Sequence, residues 1–180
     1  MRAAWIVMAA GVCAALIVGK LPPALPVLQR DLGVTLVEAG FLLSLVQVAT
    51  LTTGLFLGLA TDRFGLRRAM LCGLALMTGA SLAGGWADSA SLLLVLRAVE
   101  GLGFLLTTLA APALIRRVVP PSQVTRMVGV WGSDMPFGTA LGMLFGPGVM
   151  QASGWAGWWW LIGLLCAVCL LAAWLWVSAD

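Results

Sequence analysis

Apolar residues fill six long stretches of this chain, at about 3–26, 35–60, 69–87, 91–115, 123–149 and 155–177, separated by short intervals rich in charge, proline or glycine. Each stretch approaches the roughly 20 residues that a helix needs to cross a hydrocarbon core of about 30 Å. They are continuous rather than alternating with period two, so they predict helices, which satisfy their own backbone hydrogen bonds, and not barrel strands. The expected fold class is an all-α membrane protein with six transmembrane helices, forming a single bundle over residues 1–180. The first stretch could imitate a signal peptide. It runs on through Lys20 into Pro22-Pro23 without a small-residue cleavage pattern, however, and is read as the first helix.

Polar positions are spread unevenly over these helices. The second helix aligns Ser44, Gln47, Gly54 and Gly58 at helical spacing; the fourth aligns Arg97, Glu100, Phe104 and Thr108; the fifth aligns Trp131, Asp134, Gly138, Gly142 and Gly146. The third offers little beyond Thr78 and Ser81, and the sixth is Leu, Ala, Gly, Cys and Trp throughout. On that pattern the third and sixth helices are expected to face lipid. Two triplets result, each with two polar-bearing helices followed by an apolar one, which suggests a 3+3 inverted repeat of the sort found in secondary transporters. Polar groups at membrane depth cost several kcal/mol when unpaired, so they are expected to line a wet pocket completed by a facing bundle.

Composition and charge agree with a membrane location. The chain is 62% hydrophobic and 9% charged with a mean hydropathy of +1.06, far from the ~25% charged residues of soluble domains. The net charge of +3 sits in short loops and not on one face, so nucleic acid is not an expected partner. It sets orientation instead. Arg2, Arg63, Arg67, Arg68, Arg116, Arg117 and Arg126 fall on one side of the six-helix scheme, and only Lys20 and Arg30 on the other. The positive-inside rule then puts both termini in the cytoplasm, with a bacterial inner membrane as the expected location. Trp5, Trp174 and Trp176 mark the inner interface and Trp86, Trp155, Trp158, Trp159 and Trp160 the outer one.

No enzyme is expected. The chain contains no histidine, so Ser–His nucleophiles, His-ligated metals and His-based acid–base chemistry are excluded. Cys166 and Cys169 form a C-x-x-C in an apolar helix, which reads as core packing rather than a redox or metal site. Neither a metal nor a cofactor is expected.

The short turn after the second helix is the most specific stretch. Gly58, Asp62, Arg63, Gly65, Arg67 and Arg68 form an ordered set in which Gly65 can take the positive φ of a tight reversal. Arg97-Ala98-Val99-Glu100-Gly101-Leu102-Gly103 opens the polar face of the fourth helix, with Glu100 placed at i+3 to pair with Arg97. Gly138, Gly142, Gly146 and Pro147 give the fifth a glycine packing face and a kink, as Gly54 and Gly58 give the second a small-residue face.

These three motifs resemble those of the major facilitator superfamily. The first is similar to the loop signature G-x-L-x-D-R-x-G-R-R/K, its firm part being Asp62-Arg63-x-Gly65-x-Arg67-Arg68. The second is similar to R-x-x-Q-G-x-G with Glu100 in the Gln position, and the third to the antiporter element G-x-x-x-G-P without its closing glycines. In order and in helix they match the amino-terminal half of such a transporter. Arg116 to Pro121, with Trp131-Gly132 and Met135-Pro136, is similar to the cyanate and nitroimidazole transporter branch.

The resemblance implies a half-bundle whose first, second, fourth and fifth helices line a cavity against a second six-helix half, supplied by a partner or by a homodimer. Arg97 would draw a small anionic solute, and Glu100 or Asp134 would exchange protons. Gln47, Lys20, Trp131 and Phe104 would complete the cavity. Asp134 has no sequence-local partner and is expected to hold a proton unless Arg97 or Lys20 reaches it. Asp62, Arg63, Arg67 and Arg68 would act as a latch between halves. The alternative expectation is a truncated, non-transporting membrane protein or helical scaffold.

Overall fold

The computed structural model describes residues 2–177, and the side chains of all of these except Leu59, Ala60, Asp62 and Arg63. It is helical throughout the described residues. In chain order come α1 (Arg2–Gly19), a 3-10 turn (Pro22–Ala24), α2 (Leu25–Leu32), α3 (Leu36–Phe64), α4 (Leu66–Gly84), α5 (Ala90–Val118), α6 (Pro121–Trp131) and α7 (Asp134–Trp176). Four runs are long and apolar enough to cross a membrane: Arg2–Leu32, Leu36–Gly58, Ala90–Val118 and Pro121–Trp176.

Glycine and proline cut the apolar stretches into these pieces. The first stretch stops at Gly19 and not at 26, because Pro22 and Pro23 cannot donate backbone hydrogen bonds and turn the chain through the 3-10 segment. The α2 helix ends at Gly33, whose φ of 65° allows its N–H to reach the Leu28 carbonyl. Thr35 and Glu38 cap α3 reciprocally, each side chain bonding the other's backbone N–H. Gly65, with φ 98°, is the single residue between α3 and α4. The stretch expected at 123–149 is interrupted at Gly132 and Ser133, so Trp131 ends one helix and Asp134 begins the next. The α7 helix breaks at Gly154 (φ 72°, ψ 174°) into segments 134–153 and 155–176.

Contacts give the directions of these helices. Gly138 and Gly142 lie against Ala15 and Gly19, so segment 134–153 runs parallel to α1. Cys13 meets Leu165 and Ile6 meets Cys169, so segment 155–176 runs back antiparallel. Likewise Gly73 meets Thr107, which sets α4 antiparallel to α5, while Gly101 meets Val46 and Ala49 of α3. Neighbouring helices thus approach through glycines, as expected where no hydrophobic effect drives association between helices in lipid. A Cβ on Gly142 would lie 2.7 Å from the Gly19 backbone, and one on Gly103 would lie 2.6 Å from the Gly73 carbonyl.

The two helices expected to face lipid each also pack a face against the bundle. The α4 helix buries Leu66, Met70, Gly73, Leu74, Met77, Ser81 and Gly84, and segment 155–176 buries Trp158, Trp159, Ile162, Gly163, Cys166, Cys169 and Ala173. Each therefore packs one full face inward, because an apolar stripe suits a protein neighbour as well as a lipid tail. Trp158 and Trp159 are buried between helices; Trp159 sits over the bare backbone of Gly84, and Trp158 lies beside Gly146. Among the four long apolar runs the least covered is Leu36–Gly58 of α3, with 11% of its window buried against 72% for the Arg2–Leu32 run.

Candidate functional site

The residues expected to form one cavity fall into two groups. Lys20, Arg97 and Glu100 come together in the sealed interior. Glu100 accepts from Lys20 Nζ at Oε1 (2.5 Å) and from Arg97 Nη1 at Oε2 (2.9 Å). Ser81 Oγ donates to Oε1 at 2.6 Å and accepts from Lys20 at 2.8 Å. Arg97 also donates to the carbonyls of Leu42 (3.1 Å) and Ile17 (2.6 Å), tying α5 to α3 and to the last turn of α1. Lys20 lies 4.7 Å from the centroid of the Trp159 ring, a cation–π contact. None of the three charged side chains exceeds 3% exposure.

Lys20, Arg97 and Glu100 thus lie in this buried cluster and not in the lining of either chamber described below. Two buried cations share one carboxylate, with an aromatic face and two carbonyls taking up the excess positive charge. Such a network holds helices in register, and it is destabilising to break because a lone buried charge remains. Arg97, expected to draw an anionic solute, is engaged here by Glu100 and by backbone carbonyls. Trp158 completes this end of the bundle. Its indole donates to the Lys20 carbonyl at 3.1 Å, an acceptor stranded where the prolines end α1. Ser81 was the member that sequence reasoning missed; nothing in its apolar helix marks it as facing the Glu100 carboxylate of the next helix.

Gln47, Phe104, Trp131 and Asp134 are brought together on the opposite, open side. Val18, Val46, Gln47, Thr50, Leu51, Phe104 and Met135 line a cavity of about 310 Å³. Phe104 and Met135 also wall an adjoining chamber of about 220 Å³, with Gly11, Thr108, Trp131, Gly132 and Asp134. The walls are apolar with a few polar groups, the usual make-up of small-molecule sites. Asp134 enters no ion pair among the described residues, because Lys20 and Arg97 are held by Glu100.

The loop set and the glycine faces divide in the same way. Asp62 and Arg63 have side chains outside the described residues. Arg67 donates from Nε to the Val177 carbonyl and from Nη2 to the Trp174 carbonyl, both at 2.7 Å, so it caps the last helix of its own bundle. Gly138, Gly142 and Gly146 pack on α1 and the following prolines, whereas Gly54 and Gly58 have nothing within 4 Å of an added Cβ. The small-residue face of α3 therefore contacts no neighbour within the described chain. Pro147 lies exposed inside the 134–153 segment.

Comparison with known proteins agrees with this architecture. The Major Facilitator Superfamily model matches residues 7–180. The tetracenomycin C resistance and export protein of Streptomyces glaucescens is 33% identical over 135 residues, 72% of this chain and 24% of that protein. The puromycin resistance protein of Streptomyces alboniger is 31% identical over 83% of this chain and 29% of its own. The inward-open xylose transporter XylE of E. coli superposes with a TM-score of 0.83 at 14% identity, covering 98% of this chain and 48% of that one. The chain thus spans about half of that transporter and under a third of the two resistance proteins. None of these three speaks for the cyanate branch.

Proposed function

The chain belongs to the Major Facilitator Superfamily, and from that premise we propose that it is one six-helix half of a secondary transporter moving a small solute by alternating access. As an integral membrane protein it would cross the bilayer six times, with α1–α2, α3, α4, α5, α6 with segment 134–153, and segment 155–176 as the spans. They form a 3+3 inverted repeat with both termini in the cytoplasm of a bacterial cell. The helix directions support this count, as does the reversal at Gly154.

One observation carries the reading: the sparsely covered α3 helix lines the cavity that holds Gln47 and Phe104, which adjoins the chamber of Trp131 and Asp134. A second six-helix half, from a partner or a second copy, would close that side and cover Gly54 and Gly58. Because six crossings return both ends to one side, two copies can stand in the same orientation about an axis along the membrane normal. The latch role of Asp62 and Arg63 would lie at the same junction.

Solute uptake into vesicles carrying the chain tests the proposal. Transport is expected with the wild type and strongly reduced by Gln47→Ala and Asp62→Ala together. Absence of uptake, combined with a strictly monomeric species in mild detergent, would overturn it. The buried Lys20–Glu100–Arg97 network favours a second reading, a non-transporting helical scaffold, because it pairs its charges within the bundle and leaves only Arg97 Nη2 without a hydrogen-bond partner. That same monomeric, inactive outcome would select it.

A further inference from the structure

Two polar atoms on the open side are buried without a hydrogen-bond partner, the indole Nε1 of Trp131 and the carboxylate Oδ2 of Asp134. They stand on either side of the break at Gly132 and Ser133, one ending α6 and the other opening α7. Both meet the bare backbone of Gly11 on α1: a Cβ there would overlap Asp134 Oδ2 and lie 3.3 Å from Trp131 Nε1. The chamber of about 220 Å³ opens against the same two side chains. A buried donor or acceptor left unsatisfied costs about 1–3 kcal/mol, and discontinuous membrane helices are where transporters place ligand-binding backbone and side chains.

We propose that this chamber is a binding subsite for a protonated amine that carries a neighbouring hydrogen-bond acceptor. The ammonium is held by Asp134 Oδ2, the acceptor oxygen takes the Trp131 N–H, and the ligand's apolar body lies on Phe104 and Met135. Charge selects the class. Asp134 is the one ionisable group in the chamber lining, and the nearby cations Lys20 and Arg97 are engaged by Glu100. An ammonium supplies the partner charge that Lys20 and Arg97 do not, and so favours the ionised form of Asp134; an anion supplies none. Since donor and acceptor belong to different helices, a bound ligand bridges the α6–α7 break and stiffens it. As a solute site the subsite rests on the transporter reading; as a binding site it stands on geometry alone.

The test is calorimetric titration of the chain in lipid nanodiscs with phenylalaninamide, whose amine adjoins a carboxamide, against its neutral N-acetyl derivative. Saturable binding of phenylalaninamide is expected, at least about tenfold tighter than the derivative. Asp134→Asn should weaken it by about tenfold or more, and Trp131→Phe, which keeps an aromatic ring and removes the N–H, by several-fold, with Gly79→Ala unchanged. Asp134→Ser, which also removes the charge, replaces the Asn variant should that one fail to insert. Equal binding of the N-acetyl form, no saturable binding at millimolar concentration, or wild-type affinity in the Asp134 and Trp131 variants would each overturn the proposal. Binding without vesicle uptake of any solute would uphold the subsite and remove the transporter reading. Uptake that ignores both substitutions would do the reverse.

Discussion

The two sides of this bundle treat their polar groups in opposite ways. Around Glu100, every charged side chain is buried, and the two cations share one carboxylate with carbonyls of α1 and α3, so that each charged group is paired although Arg97 Nη2 has no hydrogen-bond partner. Around Asp134, a carboxylate and an indole are buried without partners beside open cavities. Both sides come from motifs that look alike in sequence, polar residues spaced along helices at membrane depth. The difference teaches that such a residue has two distinct uses. On one side it is a fastener between helices of the same bundle, and on the other it is a group still awaiting its partner.

The sharpest way to break this contrast is Glu100→Ala. It leaves Lys20 and Arg97 as like charges in the interior, and the expected cost is about 3–5 kcal/mol. The check is the monodisperse fraction on size exclusion and the thermal midpoint in mild detergent; an unchanged midpoint would mean that the network fastens nothing. Next comes the glycine pair. Gly142→Leu must displace the Gly19 backbone and should cost about 1–3 kcal/mol, while Gly54→Leu, with open space around it, should leave the isolated bundle's midpoint unchanged within about 0.5 kcal/mol. Loss of dimer or partner binding by Gly54→Leu would sharpen the case that α3 is an interface. Trp158→Phe removes the donor to the Lys20 carbonyl at 3.1 Å and should cost about 1 kcal/mol. Smallest is Gln47→Ala, exposed on the cavity wall, with an expected stability change within about 0.5 kcal/mol; a larger drop in its thermal midpoint would place Gln47 on the fastened side.

Much of the bundle was legible from local chemistry. Gly65 between Phe64 and Leu66 adopts a positive φ that side chains resist, and the i+3 spacing of Arg97 and Glu100 yields their ion pair. The glycine ladder Gly138, Gly142 and Gly146 packs against α1. Other features were not legible. Lys20 is 80 residues from Glu100, and no periodicity connects them. Ser81 joins the same carboxylate from a helix whose composition is that of a lipid-facing span. The break between Trp131 and Asp134 needs only two residues that many continuous helices tolerate, Gly132 and Ser133.

Hydropathy, loop charge and the ordered motifs determined by themselves that this chain is an all-helical membrane bundle of its family, because helix length and backbone satisfaction in lipid depend on composition alone. Only the tertiary structure decided which polar groups were already paired. Apolar surroundings make no distinction between a neighbouring helix and a lipid tail, so whether a stripe is core, and whether a charge along it is fastened or open, depends on what folds against it. Lys20 and Asp134 are both ionisable groups at membrane depth, and it is the approach of α5 to one and of Gly11 to the other that gives them different roles.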